Sequence, residues 1–118
     1  VLAGEWGHAA PALRAVVEGV ELLVLNTTVA LVSGKGVSLA RTDGSIPIRP
    51  GAARGIVLDE RHAPHVNNAA RALRQFGRLV APITASLPPD LEELARDGRE
   101  WVATKRVETS EAVQLRGR

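Results

Sequence analysis

The amino-acid sequence predicts an α/β layer fold with a mostly parallel sheet. Three observations carry this prediction. Apolar runs alternate with stretches of helical period along the chain. The runs "VELLVLN" (20–26), "GIVLDE" (55–60) and "RLVAPI" (78–83) are nearly continuous, as in strands covered on both faces. Turn chemistry rich in Gly and Pro separates the runs, most densely in "TDGSIPIRPG" (42–51).

The elements follow in order. Val1 to Ala3 reads as the end of a strand. Pro11 suits the first turn of a helix, where its missing N–H costs nothing. Leu13, Val16, Val17 and Val20 then mark one apolar helix face. Strand 20–26 follows. "TTVALVSGKG" (27–36) fits either a hairpin or one helical turn, being short for a crossover helix. "VSLAR" (37–41) is a strand, and so is 55–60. Val66, Ala69, Ala70, Leu73 and Phe76 give a second helix face, with Gly77 placed to end it. After strand 78–83, Leu91, Leu94 and Ala95 predict a short helix that stops at Gly98. Asp90, Glu92 and Glu93 fall in its first turn, where the helix dipole favours acids. "EWVATKRV" (100–107) and "AVQLRGR" (112–118) read as an antiparallel hairpin around "ETSE".

Composition bounds the function. A chain of 118 residues predicts a single domain over 1–118. It contains no Cys, which excludes disulfides, thiolate metal sites and a Cys nucleophile. The net charge is only +2 and aromatic residues make up 3%, with no basic run interleaved with aromatics, which speaks against nucleic-acid binding. No apolar stretch reaches the ~18 residues of a membrane span, and no signal-peptide pattern occurs. The expectation is a cytoplasmic protein without a membrane partner. The first residue is Val1 rather than Met, so removal of upstream residues is also expected.

The stretch "GVSLARTDGSIPIRPGAARGIVLDERHAPHVNNAARALRQFGRLVAP" (36–82) resembles class I S-adenosylmethionine-dependent methyltransferases. A strand is followed by Asp43 and Pro47, then by "GIVLDE", a helix ending in "ALRQFG", and a strand "RLVAPI". The resemblance implies a Rossmann-like, mostly parallel sheet with helices on its faces and a C-terminal antiparallel hairpin. It implies S-adenosylmethionine as cofactor and a small-molecule methyl acceptor. Under it, Gly4, Glu5 and Gly7 approach the cofactor, Asn26 the ribose, and Asp43 with Gly44 the adenine. Asp59 or His62 faces the substrate.

The chain also departs from that family's pattern. Ala3 stands near the place of an acid, only two glycines remain in the opening turn, and Trp6 lies between them. Asn26 replaces the acid at the end of the second strand. The segment after it is short, so one crossover helix is expected to be missing. These departures open a reading from another class: an inactive domain that keeps the sheet as a scaffold for a protein partner or a homo-oligomer. A Rossmann-type domain for another nucleotide is a third reading.

Each candidate residue also has a plain structural explanation. Gly4 and Gly7 serve a tight turn as well as a ligand. Asn26 suits a local turn with Thr27 and Thr28, and Asp43-Gly44 is a turn pair. In "LDERHAPH" (58–65), Asp59, Glu60, His62 and His65 fit a solvated loop, a general base or a metal site. "SGKG" (33–36) lacks the spacing of a phosphate loop and reads as a turn. Trp101 reads as a packing residue.

Overall fold

The computed structural model describes residues 1–16, 19–27 and 36–106. The readings at Val17, at 28–35, in "ETSE" and at 112–118 lie outside the described residues. Among the described residues the strands are β1 (Leu2–Ala3), β2 (Leu22–Leu25), β3 (Val37–Ala40), β4 (Ala53–Val57), β5 (Leu73–Pro82), β6 (Leu91–Arg96) and β7 (Glu100–Lys105). The α-helices are α1 (Ala10–Val16) and α2 (Val66–Ala72), each preceded by a 3-10 helix, Gly4–Ala9 and Glu60–His65. No described helix is long and apolar enough to cross a membrane.

The strands form one sheet in the order β3-β2-β1-β4-β5-β7-β6. β1 to β5 are parallel, and β7 runs antiparallel between β5 and β6. The predicted fold class is therefore observed: α/β, Rossmann-like, mostly parallel, closed by an antiparallel hairpin. The chain leaves β1 in one direction through β2 and β3, then returns to its other side with β4 and β5. That reversal is a topological switch point, and open α/β sheets bind ligands outside the carboxyl ends of the strands at such a point.

Both faces of the sheet carry a core, which explains the continuous apolar runs. Neighbouring strand residues point to opposite faces. Ala3, Leu25, Ile56, Leu79, Trp101 and Ala103 pack with Val66, Ala69 and Ala70 of α2. Leu2, Leu22 and Val24 pack on the other face with Ala10 and Leu13 of α1, and with Trp6 and Val57.

Two helix predictions are corrected. The second helix ends at Ala72, not at Gly77. Leu73 is already extended and pairs with Ala53, while Phe76 takes a left-handed φ of 66° and is 65% exposed. The ammonium of Lys105 on β7 donates to the carbonyls of Ala70 and Leu73 (2.9 and 3.1 Å), satisfying orphan acceptors at this end. The second correction is larger: 91–96 is a strand rather than a helix. The hairpin partner of 100–105 is thus the segment before it, and β5 pairs with its other edge. The cause is the turn at Asp97-Gly98. Oδ1 of Asp97 accepts the N–H groups of Arg99 and Glu100 (2.7 and 2.9 Å), and the Asp97 N–H donates to the Glu100 carbonyl (3.0 Å). This local bonding reverses the chain and sets β6 against β7, and the cross-strand bonds outweigh the high helical propensity of Leu91–Arg96.

Candidate functional site

The carboxyl ends of β1, β2, β3 and β4 meet on one side of the sheet, and a network of polar side chains joins them. Asp59, just beyond β4, is buried together with His62 in the following 3-10 helix. His62 Nδ1 lies 2.5 Å from Asp59 Oδ1. His62 Nε2 lies 3.0 Å from Nδ2 of Asn26, which follows β2. Oδ1 of Asn26 accepts the N–H of Thr42 beyond β3 at 2.8 Å. These bonds fix the imidazole tautomer. The Thr42 N–H is only a donor, so Asn26 must present Oδ1 to it and Nδ2 to His62. Nε2 therefore accepts, and Nδ1 carries the proton toward Asp59.

The opening turn is tied to the same network. Gly4 has φ 66°, a conformation that favours glycine. A Cβ there would lie 1.8 Å from Oδ2 of Asp59, so the open side of Gly4 is filled by that carboxylate. Oδ2 also accepts the Glu5 N–H at 2.9 Å. A Cβ on Gly7 would lie 2.6 Å from Thr27 Oγ1 and 2.9 Å from Val24 Cγ1, so Gly7 seats the 3-10 helix on β2. The half-buried Trp6 donates its indole N–H to the Leu58 carbonyl at 3.0 Å. The short glycine spacing is thus explained by protein packing around Asp59 and β2.

Burial pushes the Asp59 carboxyl up. Hydrogen bonds from His62 and the Glu5 amide, with the electrostatic attraction of His62 and Arg61, together outweigh burial and hold it below the ordinary carboxylate range. A folded pKa below the unfolded value contributes stability above the ordinary carboxylate range, and that contribution is lost as pH falls through the folded value. Urea unfolding midpoints measured from neutral pH down to about 3 should therefore fall less steeply in Asp59→Asn than in the parent. Parallel pH curves for the two proteins would contradict this assignment.

A cavity of about 580 Å³ opens beside the network. Asn26, Arg41, Thr42, Asp43, Arg61 and His62 line it, together with Thr27 and Gly44. Its floor is built from the ends of β2 and β3. Asn26 takes a left-handed φ of 53°, which Asn tolerates better than most residues, and this turns the chain at the cavity wall. In the loop after β3, Asp43 Oδ1 accepts both the N–H and the hydroxyl of Ser45 (3.0 and 2.7 Å), which hold the exposed carboxyl below its ordinary range. Gly44, at φ 117°, lies against the His65 ring: a Cβ would sit 2.4 Å from Nε2. Asn68 of α2 accepts the Ile46 N–H through Oδ1 at 2.5 Å, anchoring the loop to the helix.

The residues singled out in the sequence therefore divide. Asn26, Asp43, Gly44 and His62 share one cavity wall. Gly4, Glu5 and Gly7 are not among its lining residues. Asp59 is not a lining residue either and joins the cavity through His62; Gly4 and Glu5 contact Asp59, and Gly7 contacts Thr27. Glu60 points elsewhere and accepts the Thr84 hydroxyl at 2.8 Å. His65 stands behind Gly44, separate from the His62 network. Among the described residues no three His, Asp or Glu side chains gather as a metal site would require. Trp101 is fully buried in the core, where its indole N–H meets the Ala85 carbonyl at 2.9 Å.

Sequence reasoning missed Arg41, Thr42 and Arg61. Arg41 and Thr42 directly follow β3, and Arg61 sits inside "LDERHAPH", so position at a strand's carboxyl end was the available signal. A second cavity, of about 630 Å³, lies on the α1 side of the sheet and includes Leu2, Leu13, Leu22, Val57 and Val80 in its lining. It is mostly apolar, with Glu21, Arg54 and Arg78 also in its lining, and shares no lining residue with the first cavity. Comparison with known proteins finds no matching family model and no matching curated sequence.

Proposed function

We propose that this chain is a methyltransferase-like domain that holds the adenosine part of S-adenosylmethionine in the cavity over β2 and β3. One observation carries the reading. Asn26, Asp43 and Gly44, the residues to which the sequence resemblance gives ribose and adenine contacts, line one cavity at the carboxyl ends of adjacent strands. Its volume lies in the range of small-molecule sites. The position beside the switch point is where this sheet order favours a ligand.

The residues present fit a nucleoside. Asp43 spends Oδ1 on Ser45 and keeps Oδ2 without a partner among the described residues, an acceptor suited to an exocyclic amino group. Asn26 holds its amide in place through His62 and Thr42, and an amide oxygen has a second lone pair for a ribose hydroxyl. The glycine turn does not offer a cradle of its own, because the Asp59 carboxylate fills the open side of Gly4. In this chain that turn supports Asp59 instead.

When bound, the cofactor supplies an electrophilic methyl group on sulfonium. The protein's part is to orient the acceptor toward it and to receive a proton. His62 Nε2 is the group in the acceptor state, and Asp59 holds the Nδ1 proton opposite it. Asp59 is therefore a positioning residue and His62 the base, acting when an acceptor's N–H or O–H replaces the Asn26 amide at Nε2. The Asn26 oxygen stays in place for the ribose through the Thr42 N–H.

Calorimetric titration with S-adenosylmethionine and S-adenosylhomocysteine tests this. Saturable heat is expected from both. Asp43→Ala should weaken binding by about ten-fold, the loss of one charge-assisted hydrogen bond. Absence of heat and of any thermal shift at millimolar ligand would overturn the reading. So would an Asp43→Ala variant of unchanged affinity.

A further inference from the structure

The charge around the cavity mouth does not match a cationic sulfonium ligand alone. Arg41 and Arg61 both line the cavity, and both are exposed. Neither forms an ion pair among the described residues. Arg61 spends one nitrogen on the Asn26 carbonyl at 3.3 Å, a contact that holds the guanidinium at the rim and leaves its other donors. Asp43, the one acid among the described lining residues, sets a single carboxylate against these two guanidiniums, with its Oδ1 on the neutral Ser45. Asn26 puts a neutral amide at the end of β2, so no carboxylate from that strand end offsets the two cations.

Guanidinium groups with a free donor fork match the two-oxygen edge of a phosphate or carboxylate. Another donor stands close by: the Asn26 amide belongs to the same wall and has a second N–H besides the one given to His62. We infer that the second molecule admitted to this cavity is a small oxyanion-bearing compound, its phosphate or carboxylate held by Arg41 and Arg61. This rests on the proposed methyltransferase-like reading in one respect only: there, the compound is the methyl acceptor. Arg61 adjoins His62, so an anion held by Arg61 would bring the rest of its molecule beside the base.

Two-dimensional ¹⁵N amide spectra, recorded with inorganic phosphate and separately with acetate, test the inference. Chloride at matched ionic strength is the control. The expected result is saturable shifts at Arg41–Gly44 and at Arg61 and His62 with at least one oxyanion but not with chloride. Combined Arg41→Gln and Arg61→Gln substitutions should weaken that binding about ten-fold or more. Both side chains are exposed, so the fold should persist, and unchanged amide positions elsewhere will report that. A preference for phosphate identifies a phosphorylated compound, and a preference for acetate identifies a carboxylic acid. Shifts equal to those with chloride, or undiminished in the double variant, would overturn the inference. Titration of the same double variant with S-adenosylhomocysteine separates the two proposals. Retained nucleoside binding with lost oxyanion binding supports both. Oxyanion binding in a parent protein that gives no heat with S-adenosylhomocysteine supports the anion site and overturns only the methyltransferase-like reading.

Discussion

Gly4→Ala is expected to lower the folding stability by about 2–5 kcal/mol. Two costs add. An L-residue at a left-handed φ costs about 1–2 kcal/mol. The new methyl group would also stand 1.8 Å from Asp59 Oδ2, so the buried carboxylate must leave its place. Its bonds to the Glu5 amide and His62 are then stretched or lost, at about 1–3 kcal/mol for groups left unsatisfied. Urea denaturation gives the number. A double-mutant cycle gives the cause: in an Asp59→Ala background the second cost should vanish and only the backbone strain remain. Equal costs in both backgrounds would mean that Gly4 and Asp59 do not act as a pair.

Trp101→Ala is expected to cost about 3–5 kcal/mol, the range for removing a large aromatic from a core. Trp101 has no exposed surface, and it pairs with Ala81 on β5 and with Arg96 on β6. Its ring thus sits where the hairpin joins the parallel sheet. Trp101→Phe keeps most of the volume but leaves the Ala85 carbonyl without its indole donor. That variant should lose about 1–3 kcal/mol. The order parent, Phe, Ala in thermal midpoints is the expected result. An alanine variant as stable as the parent would show that the hairpin is not anchored by this ring.

Much of the fold was legible because its strands are buried on two sides. Val24 and Leu25, or Ile56 and Val57, serve opposite faces, so the runs are apolar throughout. Segment 91–96 was not legible by the same logic. As an edge strand it buries only Leu91, and its remaining pattern mimics one turn of helix. The decisive signal was Asp97-Gly98, which serves a helix stop and a hairpin turn equally well in sequence. The end of α2 was misread for a related reason: Leu73 continues the helical spacing, yet its backbone is drawn into pairing with β4.

The candidate site was half legible. Asn26, Asp43 and Gly44 stood out through the family resemblance, and Asp43 also because its loop follows a strand's carboxyl end, where α/β sheets present ligand groups. The role of Gly4 did not. Two glycines three apart look alike whether they face a ligand or a carboxylate 55 residues away in sequence, and only the tertiary packing shows that Asp59 fills the space. Nor does spacing single out Arg41 and Arg61, since exposed arginines are common on any surface.

On the proposed reading, the cavity over β2 and β3, rather than the glycine turn, receives the nucleoside. Amide spectra recorded during titration with S-adenosylhomocysteine test it most directly. The predicted result is saturable shifts at Asn26, Thr27 and Thr42–Ser45, extending to His62. Shifts confined to Gly4–Ala9 or to the apolar cavity around Leu22 and Val57, or no shifts at millimolar ligand, would contradict it.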